Sequence, residues 1–174
     1  MLRNENWVLC LMALVMSTGS CLAQDALPPK FYKLDFAVKE VDGGKVLNAR
    51  TYSVEVSTEP ERGTSPACVI RTGSKVPMMT AGANPQFTFI DVGVNIDCRA
   101  VREVSGGLTL GVNAEVSSAL QEPVTPTSLP PIIRQNRWSS TVLVPVKKPT
   151  VIFSSDDVAS KRQMQLELTA TPIT

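Results

Sequence analysis

The amino-acid sequence predicts a mainly β protein built from antiparallel sheets in a sandwich-like arrangement, with one short helix near residues 155–162. Apolar and polar residues alternate with a period of two over most of the chain, as expected of strands that bury one face. The glycine pairs Gly43-Gly44 and Gly106-Gly107 separate such stretches and are typical of hairpin turns. A chain of this length can bury a core without support from metals.

The N-terminal residues have the order of charged, apolar and small residues that defines a secretory signal peptide. Residues 7–16 are all apolar, and Cys21 and Ala23 stand at the positions required before a cleavage site. This apolar run is shorter than the roughly 20 residues of a membrane-spanning helix. We therefore expect residues 1–23 to be a signal peptide and residues 24–174 to form a single β domain. A lipid-modified Cys21 and a buried N-terminal helix are the alternatives.

The first strands form a predicted hairpin around the turn Asp42-Gly43-Gly44. Their apolar residues alternate on both sides of this turn: Tyr32, Leu34, Phe36, Val38, Tyr52, Val54 and Val56. A polar loop follows, and residues 67–73 are then predicted to form a short strand.

Residues 86–116 carry the clearest strand signal, interrupted by the turn Ser105-Gly106-Gly107, and predict a second hairpin. Phe87 and Phe89 lie on one phase of the alternation. The apolar residues that follow lie on the other phase: Ile90, Val92, Val94, Ile96 and Cys98. This change of phase predicts a β-bulge after Phe89, close to Gly93, where the chain could bend sharply.

Four prolines in residues 121–131 predict an extended loop within the domain. Strand signals resume after it, at residues 139–146, 151–153 and 164–171. Between the last two, Ser154 and Asp157 have the spacing of a capping box, and basic residues follow. This pattern predicts the short helix of one or two turns near residues 155–162.

Two cysteines, Cys68 and Cys98, remain after the leader, and both fall in predicted strands. Because disulfides persist in exported proteins, these two residues are candidates for a bridge. Closing a loop of about 30 residues would stabilise the fold by about 3–4 kcal/mol in the chain-entropy model. Two buried thiols that pack as small apolar side chains are the alternative.

Catalytic chemistry is not indicated by the sequence. It contains no histidine, which excludes Ser-His-Asp and Cys-His nucleophilic systems and most zinc sites. Asp91 and Asp97 would share a strand face about 20 Å apart, too far for joint acid and base catalysis. Asp156 and Asp157 fall short of the spaced oxygen ligands of a calcium loop. We expect no catalytic residues, no cofactor and no metal ligands, and thus no enzyme.

A candidate partner surface consists of Arg134, Arg137 and Trp138, because arginine and tryptophan are frequent at protein interfaces. The alternative is a tryptophan half-buried at the start of a strand. The formal net charge is only +1, which does not favour nucleic acid or an anionic membrane as the main partner. No second apolar segment follows the leader, so we expect no transmembrane helix after cleavage.

From about residue 67 to residue 174 the order of motifs resembles the C-terminal β-domain of bacterial secretins, the outer-membrane channel subunits of type II and III secretion and type IV pilus systems. The family pattern contains a "d-V-G-v" strand, a hairpin ending in "E-V-S" and a final strand ending in "T-P-x-I". The corresponding residues of this chain are Asp91-Val92-Gly93-Val94, Glu115-Val116-Ser117 and Thr171-Pro172-Ile173, the last without a residue between proline and isoleucine. The resemblance implies a secretin-like topology for the sheets and a place in the cell envelope.

Several parts of the secretin pattern are not found. The chain has KKPTVIFSSDD at residues 147–157, where secretins carry a glycine pair, and it lacks the following "v-P-x-L-G-d-I-P-x-L-G-x-L-F" segment. Only a short stretch separates the leader from residue 67, so we expect a truncated relative without the ring-building N-domains. The retained part is the sheet scaffold, without the segments that secretins use for pore assembly and gating.

Taken together, these features predict a non-enzymatic, exported cell-envelope protein that binds other proteins or self-associates. We expect it in the bacterial periplasm or associated with the outer membrane. One alternative is a minimal secretin-type pore subunit of the outer membrane. Another is a small-ligand carrier, or an enzyme of unfamiliar type, which would require a pocket lined by carboxylates.

Overall fold

A computed structural model describes residues 28–58, 65–79, 86–120, 131–157 and 162–173. These residues form eight strands, which are Phe31–Asp42 (β1), Lys45–Ser57 (β2), Cys68–Met79 (β3), Phe87–Val104 (β4), Gly107–Leu120 (β5), Ile132–Val144 (β6), Thr150–Asp156 (β7) and Arg162–Ile173 (β8). They pair into two antiparallel sheets, with the order β2-β1-β8-β7 in the first and β3-β4-β5-β6 in the second. The predicted mainly β, antiparallel fold is confirmed.

One hydrophobic core lies between the two sheets, because every second residue of a strand points to the same face. The first sheet buries Tyr32, Leu34, Phe36, Leu166, Leu168 and Ala170. Facing them, the second sheet buries Val94, Ile96, Leu108, Leu110, Val112 and Val144. Full burial of one such leucine, valine or phenylalanine side chain stabilises a fold by about 1.5–3 kcal/mol. These facing rows therefore hold the sandwich together.

Both predicted hairpins are present. Strands β1 and β2 pair across Gly43-Gly44, whose φ angles of +53° and +84° suit a turn that needs positive φ at both central residues. Strands β4 and β5 pair across Ser105-Gly106. The alternating pattern and the turn residues were therefore sufficient to predict these pairings.

The two ends of the sandwich are distinguished by these turns. We call the end with Gly43-Gly44 the upper end and the end with Ser105-Gly106 the lower end. Across the lower end, Lys30 Nζ lies 2.6 Å from Glu103 Oε2. Across the upper end, Arg134 Nη1 lies 3.1 Å from Asp157 Oδ2. Both ion pairs join one sheet to the other.

The β-bulge lies elsewhere than predicted. Strands β3 and β4 keep a continuous register along their whole length, so no residue is inserted after Phe89. The register of β4 against β5 shifts instead between Arg99 and Arg102, where Ala100 has a φ of +52°. This extra residue turns Val101 into the core. The change of phase at Phe89 has a different cause, described below.

The helix predicted near residues 155–162 is wrong where the structure describes this segment. Ser155 and Asp156 belong to β7, and Arg162 begins β8. Asp157 N donates a hydrogen bond of 2.8 Å to Arg162 O, which continues the pairing of the two strands. Cross-strand pairing with β8 therefore outweighs the local capping signal. Residues 158–161 lie outside the described part of the chain.

Sheet two divides at its upper end. Residues 87–93 of β4 pair with β3 alone, because the pairing between β4 and β5 begins at Val94 and Val116. Gly93 N donates a 3.0 Å hydrogen bond to Ser117 Oγ at the point of division. We call the two-stranded ribbon formed by residues 73–79 and 87–93 the β3–β4 arm.

No helix long and apolar enough to cross a membrane occurs among the described residues. The predicted signal peptide, residues 1–23, lies outside them and stays a prediction, as does the single domain over residues 24–174.

Candidate functional site

The outer face of the second sheet carries a polar row that crosses all four strands. Arg71, Asn95, Glu115 and Arg137 are neighbours in the register. They border a shallow groove of about 330 Å³, whose other lining residues include Asp97 and the small polar residues Asn113 and Ser139.

Ion pairs fix the charged side chains of this row. Arg71 Nη2 donates to both carboxylate oxygens of Asp97, at 2.7 and 2.9 Å. Arg137 donates to Glu115 Oε2 from Nη2 at 2.6 Å and from Nε at 2.9 Å. The hydrogen bond from Arg137, followed by that from Gln135, holds the pKa of the Glu115 carboxyl below its ordinary value. Carboxylates held ionised in this way are poor proton donors.

The three residues of the candidate partner surface do not share a face of β6. Arg137 points outward to Glu115, whereas Trp138 points toward the first sheet and stacks on Phe153 with ring centroids 3.9 Å apart. Arg134 lies at the upper end, on the Trp138 side of the strand, and pairs with Asp157. The Nε1 atom of Trp138 is buried and lacks a hydrogen-bond partner in the described structure. A joint binding role for these three residues stays a prediction.

Cys68 and Cys98 are directly opposite each other in strands β3 and β4. Their sulfur atoms are bonded at 2.07 Å, and both residues are buried in the core. The bridge joins an edge strand of the second sheet to its only sheet neighbour.

The carboxylates of Asp91, Asp156 and Asp157, which the sequence analysis considered, each form a hydrogen bond with a different side chain. Asp91 Oδ1 accepts from Lys75 Nζ at 2.9 Å, on the β3–β4 arm. Asp156 Oδ1 accepts from Gln163 Nε2 at 3.0 Å, and Asp157 pairs with Arg134. No group of three residues able to hold a metal ion occurs in the part of the chain that is described.

A second polar cleft, of about 500 Å³, opens between the two sheets at the upper end. Here Arg162 Nη1 lies 2.8 Å from Glu40 Oε1, and the Arg134–Asp157 pair crosses the cleft. Each arginine is thus held by a carboxylate. The cleft therefore contains two ion pairs, and the carboxylate of Asp156, which also lines it, accepts a hydrogen bond from Gln163.

Sheet edges and the proline-rich loop were expected as contact surfaces, but the sequence did not indicate which strand surfaces are both exposed and apolar. On the β3–β4 arm, Phe87 and Phe89 are 69% and 58% exposed, on the face opposite to Val76 and Ile90. The arm is thus apolar on both faces, which explains the change of phase in the sequence. In β2, the residues 45–51 are exposed on both faces, and Val46 and Leu47 are 49% and 47% exposed.

Comparison with known proteins finds similarity in structure only. No family model matches the sequence, and no curated protein matches it either. The similar solved structures include the InvG secretin domain β-barrel of the Salmonella SPI-1 injectisome, with a TM-score of 0.47 and 10% identity over 84% of this chain and 62% of that chain. They also include the type II secretin GspD of enteropathogenic Escherichia coli, with a TM-score of 0.44 and 11% identity over 84% of this chain and 66% of that chain.

The type IV competence pilus secretin PilQ of Vibrio cholerae is similar as well, with a TM-score of 0.43 and 10% identity over 83% of this chain and 58% of that chain. All three are secretins by description. The likeness concerns a secretin-like β-domain. This chain spans less than two thirds of the length of each of these structures.

Proposed function

We propose that this chain is an exported, non-enzymatic protein of the bacterial cell envelope that binds other proteins or further copies of itself through the open edges of its sheets. It would act in the periplasm or at the outer membrane. The observation that carries the proposal is the exposure of apolar strand surface at β2 and the β3–β4 arm, two sheet edges with which no described strand pairs.

Strand β2 is well suited to accept another strand. It is an edge strand of 13 residues, and it pairs with β1 on one side only. An edge strand presents a row of free backbone donors and acceptors, which a partner strand can satisfy by β-augmentation. Around residues 45–51 the exposed Val46 and Leu47 add apolar area to these backbone groups.

The β3–β4 arm supports the same proposal. A two-stranded ribbon is at best marginally stable in water when nothing covers it. Phe87 and Phe89 cover one face of this ribbon and remain largely exposed. No described strand pairs with the outer edge of β3, which is an edge strand, or with residues 87–93 of β4, which lie beyond the end of the β4–β5 pairing. A lipid bilayer would leave those backbone groups unsatisfied, so a protein strand is the better occupant.

The chemistry of the chain supports a non-enzymatic role. Without histidine, a nucleophile would need a carboxylate or lysine base. The carboxylates of Asp91, Asp97 and Glu115 are each engaged by a lysine or arginine. Ion pairs of this kind orient a carboxylate toward a fixed cation, which suits a scaffold better than proton transfer.

Export is supported by two features of different kinds. The leader pattern of residues 1–23 is that of a secretory signal peptide. The Cys68–Cys98 bridge is of the kind that persists in the periplasm and outside the cell but is rare in the cytosol.

Sedimentation of the purified protein, together with capture of partners from envelope extracts, tests the proposal. We expect either a mass that is a multiple of the protomer mass or a specific captured protein. The double substitution Val46→Lys/Leu47→Lys places charge on the β2 edge and should weaken that association at least tenfold, since lysine at an edge strand opposes strand addition.

Thr169→Lys is the matched control, because Thr169 lies on β8, which is an interior strand of the same sheet. It should leave the association unchanged. A monomer that captures no envelope protein would refute the proposed function. Equal weakening by the control would refute the role of the β2 edge.

A further inference from the structure

Six cations of the described residues have no carboxylate partner there, and they are not spread evenly over the molecule. They are Lys45, Arg50, Arg99, Arg102, Lys147 and Lys148. The first two lie on β2, toward the upper end. The other four lie at the lower end of the second sheet or just beyond it. We call these four cations, with the exposed Val104 and Leu143, the basic end.

The β-bulge in β4 creates half of the basic end. In an uninterrupted strand, residues three positions apart point to opposite faces. Here the extra residue puts Arg99 opposite Gly111 and Arg102 opposite Thr109, which are two positions apart on β5. Both arginines therefore point to the outer face, as neighbours along the strand about 7 Å apart. Bulges often re-aim side chains for function in this way.

The surface of β5 beside Arg99 and Arg102 carries the small residues Gly111 and Thr109. A Cβ atom at Gly111 would lie 3.1 Å from Arg99 Cγ, so the absence of a side chain there lets the arginine stem lie across β5. In the next row, Arg102, Thr109 and Leu143 are neighbours across three strands. The backbone of the exposed Leu143 thus lies about 10 Å from that of Arg102, whose guanidinium has no carboxylate partner among the described residues.

Carboxylates near the basic end do not neutralise it. Asp97, in the row next to Arg99, is held by both donors of Arg71 Nη2. Glu103, between Arg102 and Val104 in sequence, pairs with Lys30 at 2.6 Å. The two lysines follow β6 directly, where Lys147 N donates to Ala170 O at 2.8 Å. Positive charge and exposed apolar side chains are therefore combined on one surface.

We infer that the basic end docks the protein on the surface of a membrane that contains anionic phospholipids. The cations would contact the phosphate groups, while Leu143 and Val104 would enter the headgroup region. This combination of basic and apolar side chains is typical of peripheral attachment to anionic bilayers. The surface lies at the opposite end of the sandwich from the β3–β4 arm, so attachment would leave that arm free for protein partners.

Flotation of the purified protein with lipid vesicles tests the inference. Vesicles of phosphatidylcholine mixed with phosphatidylglycerol should bind the protein, and vesicles of phosphatidylcholine alone should not. Each basic residue near an anionic surface accounts for about a fivefold change in affinity. Arg99→Gln/Arg102→Gln should therefore lower the affinity on the order of thirtyfold. Higher salt should lower it further by screening.

Lys39→Gln/Arg162→Gln is the matched control, since it removes the same net charge at the upper end of the other sheet, from the interior strands β1 and β8 and away from the proposed association edges. It should keep the affinity within about twofold. Circular dichroism verifies that both variants are folded, and Lys147→Gln/Lys148→Gln provides a second test on residues outside the sheet.

Several results would overturn the inference. These are absence of binding to the mixed vesicles, equal binding to neutral vesicles, or equal loss of affinity in the two matched variants. Competition by inorganic phosphate at low concentration would indicate a discrete phosphate site instead. Binding to an acidic polypeptide without binding to the anionic vesicles would indicate a protein partner. None of these outcomes depends on self-association, which sedimentation measures separately.

Discussion

Removal of the Cys68–Cys98 bridge should destabilise the protein strongly without changing its fold. The bridge closes a loop with a sequence separation of 30 residues. Loop closure of that length restricts the unfolded chain by about 3–4 kcal/mol in the chain-entropy model. Both cysteines are buried, so the double substitution Cys68→Ala/Cys98→Ala retains small apolar side chains at both positions.

Urea unfolding followed by circular dichroism measures this effect. Relative to the oxidised protein under the same conditions, the free energy of unfolding of the variant should be lower by about 3–4 kcal/mol, and its melting temperature by about 10 °C. Treatment of the native protein with a reductant should lower its stability toward that of the variant. The reductant should leave the variant itself unchanged, because its bridge is already absent.

Equal stability of the variant and the oxidised protein would refute a stabilising bridge. If the variant and the oxidised protein unfold at the same urea concentration with the same slope, the bridge does not restrict the unfolded chain as assumed. If only the slope changes, residual structure in the unfolded state accounts for the difference.

Further predictions concern the core, the division of the second sheet and the polar row. Leu168→Ala empties a fully buried position and should cost about 2–5 kcal/mol in urea unfolding, whereas a loss under 1 kcal/mol would contradict the packing described. Gly93→Ala should destabilise the fold by several kcal/mol, since a Cβ there would lie 2.1 Å from Thr72 O. Arg137 lowers the pKa of Glu115 in the folded state, so near and below about pH 4.3 the unfolded state binds more protons than the folded state. The free energy of unfolding should therefore decrease as the pH is lowered through this range. Arg137→Gln should reduce that pH dependence, and an unchanged profile would show that the pair does not matter.

Local patterns in the sequence were sufficient for the fold class and the two hairpins. Alternation with a period of two indicates which residues face the core. A glycine pair indicates where the chain turns between two neighbouring strands. In β1 and β5 both signals agree with the structure, because the interactions that decide these elements lie close together in the chain. The motif order from residue 67 onward pointed to the secretin β-domain, which is also the kind of structure that this chain is similar to.

The predictions from local sequence patterns were wrong where pairing between distant segments decides the structure. Ser154 and Asp157 have the spacing of a helix cap, but pairing of β7 with β8 provides more hydrogen bonds than one helical turn could. The two aromatic residues of the β3–β4 arm indicated a bulge in the sequence. In the structure they lie on the exposed face of a two-stranded ribbon whose other face carries Val76 and Ile90.

The sequence by itself determined that the chain alternates, turns and forms antiparallel sheets, since these properties depend on neighbouring residues. Only the tertiary structure decided which surfaces remain open. Arg137 and Trp138 lie on opposite faces of β6, and no described strand pairs with the outer edge of β2. The bulge at Ala100 places Arg99 and Arg102 on the same face of the second sheet. The physical reason is that exposure and charge pairing depend on which strands meet, and strands that meet here are often far apart in the chain.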